Sequence, residues 1–294
     1  MEDAEDAAHK MSKGNWKGWL WAILGTSFFS TGAVLVRLAA PFSPWAVTSF
    51  RLLLGAGFVA LFAQMAEQRL RTSRPELIRL LPIGAITALH FLCFVASLYF
   101  TTIAHSLTLT YTAPVFVTLL SHFLLKEPLP PKKYGGIALA ILGIFILTGF
   151  EPRMSWRMAG GDLLALVSAI SFGFYSVWGR REGRHFPLFQ YTFWIYLLAG
   201  AFTLPLALLS LRPPFPAQAW LAILLLALFP LALGHTLYNA ALRLIHPTYV
   251  NIIASQEVTG GILLGWLVLS EAPGVNSLVG CLVTLSGIIL TVLL

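Results

Sequence analysis

Residues 112–147 of this 294-residue chain read TAPVFVTLLSHFLLKEPLPPKKYGGIALAILGIFIL. The pattern predicts two apolar helices that are joined by a short turn rich in proline and charge. Pro114 lies inside the first helix, and Lys126 and Glu127 lie at the turn. Gly136 and Gly143 follow in the second helix. The same pattern returns later in the chain, which makes it the unit of the fold.

The later copy is residues 256–291, QEVTGGILLGWLVLSEAPGVNSLVGCLVTLSGIILT. At an offset of 144 residues (271 − 127), Glu127 falls on Glu271 and Gly136 falls on Gly280. Self-similarity at a fixed period indicates a repeated architecture. The chain is therefore predicted to consist of two halves.

The composition excludes an ordinary soluble fold. Hydrophobic residues make up 57% of the chain and charged residues only 11%, whereas soluble domains carry about 25% charged residues. Lipid is therefore predicted to surround the protein. The formal net charge of +7 then reports membrane orientation rather than a nucleic-acid partner.

Membrane spans follow from the lengths of the apolar segments, because a transmembrane helix needs about 20 mostly apolar residues. The predicted organisation is a disordered cytoplasmic tail (1–17), a first five-helix repeat (18–150) and a second five-helix repeat (160–294). Ten segments meet the length requirement, with short links between them: 18–40, 45–66, 77–100, 103–125, 132–150, 160–180, 187–210, 218–242, 247–269 and 274–294.

The odd number of spans in each half predicts the topology. The second half must enter the membrane from the opposite side, which gives an inverted repeat with a central cavity near the midplane. Lys and Arg are more frequent in the links on the N-terminal side, so both termini are predicted to be cytoplasmic. The basic residues assigned to the outer side are Arg37, Arg51, Arg153, Arg157 and Arg212.

Residues 16–294 resemble the EamA-type transporters of the drug/metabolite transporter superfamily. The shared features are two five-span halves, a membrane proline in span 4, a glutamate at the turn and glycines in span 5. The resemblance implies a basket of ten helices whose cavity is lined by spans 1, 3, 4, 6, 8 and 9. It also implies export of metabolites, amino acids among them, across a bacterial inner membrane. Val258 stands where the family usually has a proline, so spans 4 and 9 are not expected to move alike.

Polar residues at membrane depth are costly and are therefore candidates for function. In span 4, Pro114 cannot donate a backbone hydrogen bond and frees a carbonyl, which predicts a hinge or, alternatively, a simple packing kink. Thr108 and Tyr111 accompany it on a polar face. A polar face of this kind should contact protein or water rather than lipid.

Spans 1 and 6 carry small polar and aromatic residues at helical spacing. Ser27 and Ser30 in span 1, and Ser171, Tyr175 and Trp178 in span 6, are predicted to form two walls of the cavity. The alternative is close helix packing through small residues, with Trp178 at the membrane interface.

Two histidines occupy nearly equivalent positions in the two halves. His90 lies in span 3, which ends near Tyr99, and His235 lies in span 8 beside Tyr238 and Asn239. All five are predicted to line the cavity, because a histidine can donate to a substrate carboxylate or titrate near neutral pH. The alternative for each histidine is a hydrogen-bonded core residue.

Glu257, preceded by Gln256, is the only acid near the middle of a predicted span. It is predicted to relay protons or to pair with a substrate ammonium, and the alternative is a structural carboxyl group. Glu127 and Glu271 are interpreted as groups that tie a loop or cap span 5 or 10. The sequence carries no motif for ATP, zinc or a nucleophilic serine, so no cofactor and no metal site are predicted.

Together these features predict a secondary transporter that exports amino acids, chiefly aromatic or other hydrophobic ones, by alternating access. The cavity is expected to carry little fixed charge, because no Lys or Arg is placed at membrane depth. The alternatives are a multidrug or nucleotide-sugar carrier of the same fold and, from another class, an intramembrane enzyme or receptor. The predicted partners are a small-molecule substrate and the lipid bilayer, with a monomer or weak homodimer as the assembly.

Overall fold

The computed structural model describes residues 16–125, 131–149, 154–183 and 185–293. Within these ranges, every regular element is a helix. The predicted tail, apart from its last two residues, and the turn that holds Lys126 and Glu127 lie outside the described residues.

The first half contains seven described helices and the second half contains seven more, with a π-helical segment at Ala227–His235. The first seven are α1 (Trp16–Phe29), α2 (Gly32–Leu38), α3 (Pro44–Met65), α4 (Arg74–Phe100), α5 (Ile103–Thr110), α6 (Ala113–Leu125) and α7 (Lys133–Gly149). The others are α8 (Trp156–Glu182), α9 (Leu188–Leu209), α10 (Ala217–Leu226), α11 (Thr236–Leu244), α12 (Pro247–Ala254), α13 (Gln256–Leu269) and α14 (Val275–Leu293).

The lengths and composition of these helices are those of a multi-pass membrane protein. In the described part of the chain, eight helical stretches are long and apolar enough to cross a membrane. Two shorter apolar helices, Tyr134–Ile146 and Val275–Leu290, accompany them. The prediction of an all-helical membrane protein is confirmed.

Several predicted spans are divided rather than continuous. Span 1 is interrupted at Ser30 and Thr31, and span 4 at Tyr111 and Thr112. Pro114 is the second residue of α6, a position where its missing N–H costs little. The proline therefore lies just after the break rather than within a helix interior.

The break in span 9 recurs at the position of the break in span 4, because Ser255 is offset from Tyr111 by 144 residues (255 − 111). It forms although Val258 replaces the usual proline. The Ser255 hydroxyl donates to the carbonyl of Asn251 at 3.2 Å, and a hydroxyl bonded to the preceding turn bends a helix. The sequence, in which only a proline signals such a break, does not predict this second one.

Helices α7 and α14 pack along most of their lengths and carry glycines at matching positions. A Cβ atom added at Gly143 would collide with the backbone of Thr284, and one added at Gly287 would collide with the backbone of Ala140. Close approach of helix backbones in membranes depends on such small residues. The repeated glycines therefore hold the two halves together at this contact.

We expect Gly143→Val and Gly287→Val each to lower the stability of the folded protein by about 1–3 kcal/mol, because overpacked contacts cost this amount. Thermal unfolding in detergent measures the change. Gly57→Val is the matched control, since a Cβ atom at Gly57 meets nothing within 4 Å. Equal melting temperatures for the Gly143 and Gly57 variants would contradict the packing role.

Candidate functional site

A buried cavity lies between residues of both halves, and the space open to the centres of water molecules in it is about 20 Å³. Such a space holds about one or two waters. Its wall combines aromatic rings with two histidines, one arginine and one glutamate. The lining residues are Phe29, Gly32, Arg51, His90, Phe91, Phe94, Thr110, Tyr111, Phe172, Pro230, His235 and Glu257.

The two broken helices meet across this cavity. Tyr111 lies at the break between α5 and α6, and its hydroxyl donates to a carboxylate oxygen of Glu257. Glu257 is the second residue of α13, just after the break at Ser255. The breaks thus place the two predicted residues side by side and link span 4 of the first half to span 9 of the second.

The predicted histidines both lie in the cavity wall, with ring centroids 6.4 Å apart. His90 stacks on Phe172 at 4.7 Å, and its Nδ1 lies 3.1 Å from the carbonyl oxygen of Ser168. The Ser168 hydroxyl in turn donates to the carbonyl of His90 at 3.1 Å. His90 therefore ties α4 to α8 as well as lining the cavity.

His235 is surrounded by aromatic rings. Its ring centroid lies 4.3 Å from that of Phe29 and 4.9 Å from that of Phe91. It belongs to the π-helical segment, which also contributes Pro230 to the wall. π-Helical turns widen a helix locally and often occur at functional sites.

Tyr175, Tyr238 and Asn239 lie in a layer behind Phe172. The rings of Tyr175 and Tyr238 stack with Phe172 at 5.8 and 5.4 Å. The amide of Asn239 donates to the Tyr175 hydroxyl, and that of Asn251 donates to the Tyr238 hydroxyl at 2.8 Å. These predicted residues support the cavity wall in this structure rather than form it.

The other predicted site residues lie away from the wall. Gln256 docks α13 on α1, since its amide donates to the Thr26 hydroxyl at 2.6 Å. Tyr99 donates to the carbonyl of Phe42 at 2.7 Å, and Trp178 lines a separate pocket. A role in substrate passage stays a prediction for all of this group: Ser27, Ser30, Tyr99, Thr108, Ser171, Trp178 and Gln256.

Arg51 was missed as a site residue. It is 1% exposed and lines the cavity, with its guanidinium 4.7 Å from the centroid of the Phe91 ring. It lies seven residues (51 − 44) into α3, about 10 Å along the helix axis. The cavity wall therefore carries an arginine that the expectation of little fixed charge left out. The count of Arg51 among the residues of the outer side stays a prediction. A lone arginine in an apolar segment was the signal that could have identified it.

Asp162 was also missed. It is buried in α8, where it accepts from the Thr101 hydroxyl at 2.6 Å and lies 3.0 Å from Nδ1 of His105. These contacts join α8 to the junction between α4 and α5. Within the described ranges, no three His, Cys, Asp or Glu side chains group as a metal site requires.

Arginines bind the carbonyls that end α4 and α11. Arg37 donates to the carbonyl of Thr101 at 2.9 Å, and Arg180 donates to the carbonyl of Ile245 at 2.7 Å. Thr101 and Ile245 are separated by the repeat offset of 144 residues (245 − 101). We call these contacts the Arg37 clasp and the Arg180 clasp.

Glu271 reinforces the Arg37 clasp. Its carboxylate lies 3.3 Å from the Arg37 guanidinium and accepts from the backbone N–H of Ile103 at 2.6 Å. It therefore caps the beginning of α5 in span 4. The prediction that it caps span 5 or 10 is corrected, because the chain fold brings the α13–α14 link beside the start of α5.

Sequence comparison places this architecture in a known family. Residues 16–149 and 159–293 each match the EamA-like transporter family. The chain belongs to this family. The resemblance drawn from the sequence is therefore confirmed at the family level, and each half of the chain matches the family separately.

Its relatives include proteins named as uncharacterized transporters. YoaV of Bacillus subtilis is 23% identical over 83% of this chain and 86% of its own length. YdfC of the same organism is 25% identical over 86% of this chain and 83% of its own length. A transporter of Archaeoglobus fulgidus is 24% identical over 84% of this chain and 87% of its own.

A protein of known crystal structure shares the fold. It superimposes with a TM-score of 0.74 and covers 95% of this chain and 99% of its own, at 20% identity. At this identity the likeness shows the fold alone. The family match and the names of the relatives, not this likeness, indicate a transporter.

Proposed function

We propose that this EamA-family transporter exports amino acids from the cytoplasm, chiefly those with aromatic or other hydrophobic side chains. The observation that carries the proposal is the aromatic cavity between the two repeats, with the Tyr111–Glu257 pair across it. Rings at this spacing stack on a hydrophobic or aromatic side chain. A carboxylate beside them suits the substrate ammonium.

The proposed topology is ten spans in two inverted five-helix repeats, with both termini in the cytoplasm of a bacterial cell and the protein in its inner membrane. The two shorter apolar helices, in α7 and α14, are the fifth and tenth spans of this scheme. The odd number of spans in each repeat and the distribution of Lys and Arg support it.

The size of the cavity supports alternating access, because about 20 Å³ of space for water centres is too small for an amino acid. The helices must therefore move to admit a substrate. Under the proposed topology the Arg37 clasp and the Arg180 clasp lie at opposite ends of the cavity. Each is then a gate that closes one side of the membrane.

The function is tested by counterflow of radiolabelled L-phenylalanine, L-leucine and L-lysine in proteoliposomes. We expect rapid exchange of the first two and slow exchange of lysine, whose second cation has no counterpart in the aromatic cavity. No exchange of any amino acid would reject the substrate class.

Glu257→Gln should lower counterflow of L-phenylalanine about tenfold or more, because a hydrogen bond to a charged group contributes about 1.5–3 kcal/mol. The amide still accepts from Tyr111, so the link between the broken helices is kept. Glu67→Gln is the control, since Glu67 is exposed in the link after α3. Equal rates for the two variants would exclude a role for the Glu257 charge.

Pro114 is the proposed hinge of span 4. Pro114→Ala removes the ring that prevents the helix from continuing through Tyr111 and Thr112, and should therefore stiffen the junction. We expect slower counterflow with an unchanged apparent affinity for substrate. An unaltered rate at normal expression would remove Pro114 from the transport motion.

The two clasps are tested by labelling a cysteine in the cavity wall, Thr110→Cys, in a background of Cys93→Ser and Cys281→Ser. Arg37→Gln should increase the reaction with an impermeant maleimide from the outer side, and Arg180→Gln should increase it from the cytoplasmic side. Arg212→Gln is the control, because Arg212 is bonded to its own neighbouring carbonyls, Leu209 and Leu211. Increased labelling on the same side in both variants would contradict the gates.

A carrier of organic anions is the second candidate, and Arg51 is the observation that favours it. Nucleotide sugars carry several negative charges, whereas the described cavity wall presents one arginine and a carboxylate. Counterflow of a labelled nucleoside monophosphate that unlabelled amino acids do not inhibit would make this candidate the better one.

A further inference from the structure

We infer that Arg51 binds the carboxylate of the transported molecule and so selects carboxylate-bearing substrates. The inference deepens the proposed amino-acid export and rests on it for the choice of probes. Because it concerns the binding chemistry of one side chain, it can be tested separately from amino-acid export.

Arg51 lies on a helix that packs closely against a neighbouring helix. Next to it on α3, the Ser49 hydroxyl donates to the carbonyl of Gly200 at 3.1 Å and ties α3 to α9. A Cβ atom added at Gly200 would collide with Leu53, so the two helices are in close contact there. The backbone that carries Arg51 is therefore positioned by contacts between helices of the protein itself.

The hydrogen-bonding capacity of Arg51 is not used up within the protein. Its Nε and Nη1 are buried and have no hydrogen-bond partner among the described residues. The contact with Phe91 offsets part of the charge burial but supplies no acceptor. An arginine buried without acceptors is costly, so a group that binds at this site and brings acceptors is strongly favoured.

A carboxylate is the ligand that this arrangement fits. The guanidinium presents its N–H groups in a planar fork that matches two carboxylate oxygens. The protein's own carboxylate in the cavity, Glu257, accepts from the Tyr111 hydroxyl and supplies no acceptor to Nε or Nη1 of Arg51. The substrate therefore brings the acceptors that Arg51 lacks.

The cavity wall contains both a basic and an acidic residue, which suits the two charged groups of an amino acid. Arg51 and Glu257 line the same small space. A zwitterion can place its carboxylate on Arg51 and its ammonium on Glu257, while Phe29, Phe91 and Phe172 contact its side chain. A molecule without the carboxylate leaves Arg51 as it is in the empty site.

The test compares three probes that differ only at their ends: L-phenylalanine, L-phenylalaninamide and 3-phenylpropionate. Their dissociation constants are measured on the purified full chain in nanodiscs, so that transport is not required. We expect Arg51→Gln to raise the dissociation constants of L-phenylalanine and 3-phenylpropionate tenfold or more, which is equivalent to about 1.4 kcal/mol of binding free energy. The dissociation constant of L-phenylalaninamide, which has no carboxylate, should change less than twofold.

Two further variants keep the test decisive. Arg51→Lys retains the positive charge without the planar guanidinium. It should weaken the binding of the two carboxylate probes less than Arg51→Gln does. It also replaces Arg51→Gln if that variant does not fold. Arg212→Gln removes an exposed arginine and should leave all three constants unchanged.

The outcomes separate the two proposals. If the Arg51 variants weaken the binding of all three probes equally, Arg51 has a structural role and the inference is overturned. Amino-acid export would still stand in that case, provided that the wild type exchanges amino acids. Arg51-dependent binding of 3-phenylpropionate without amino-acid exchange would support the inference and reject the export proposal. Binding of phenylalaninamide alone by the wild type would overturn both.

Discussion

The cavity depends on one constraint, which is that a lipid bilayer offers no hydrogen bonds to an interrupted helix. A break in a membrane helix therefore persists only where it is buried in protein or lines a cavity. The breaks at Tyr111 and Ser255 satisfy this condition together. Tyr111 donates to Glu257, which begins the helix that follows the second break. Each irregular segment supplies the polar surroundings that the other needs.

The repeat explains why the two breaks meet. They are related by the offset that also relates the packed glycines of α7 and α14 and the carbonyls bound by the two clasps. The halves are nevertheless not identical in detail. The second half contains the π-helical segment around Pro230 and His235, whereas α4 of the first half stays α-helical through Pro82. The cavity wall thus combines equivalent frameworks with different side chains.

The positions of the helices were largely predictable from the sequence, but the interior of the site was not. Predicted span edges agree with the structure to within a few residues, as for 45–66 and α3 at Pro44–Met65. The break near Pro114 had a sequence signal, because proline cannot continue a backbone ladder. The break at Ser255 had none beyond a serine, which is also common in unbroken membrane helices.

Arg51 shows the same limit for charge. In the sequence it reads as one more basic residue near a span edge, and the count of Lys and Arg used it to set orientation. Only the packing of α3 against α9 and Phe91 shows that its guanidinium is buried in the cavity wall that Glu257 also lines. Conversely, Ser27, Trp178 and Gln256 lie in predicted spans and were expected in the cavity, but Ser27 and Gln256 contact each other across α1 and α13 and Trp178 lines a separate pocket.

By itself, the sequence determined the solvent, the two-fold repeat and the approximate helix positions, because hydrophobic length and periodicity are local properties of the chain. It also identified His90, Tyr111, His235 and Glu257 as unusual residues for a lipid-facing helix. Tertiary structure alone decided which polar groups share one cavity and which are satisfied by neighbouring helices. That outcome depends on helix rotation and on contacts between residues more than 100 positions apart, such as Tyr111 and Glu257, and no local pattern specifies them.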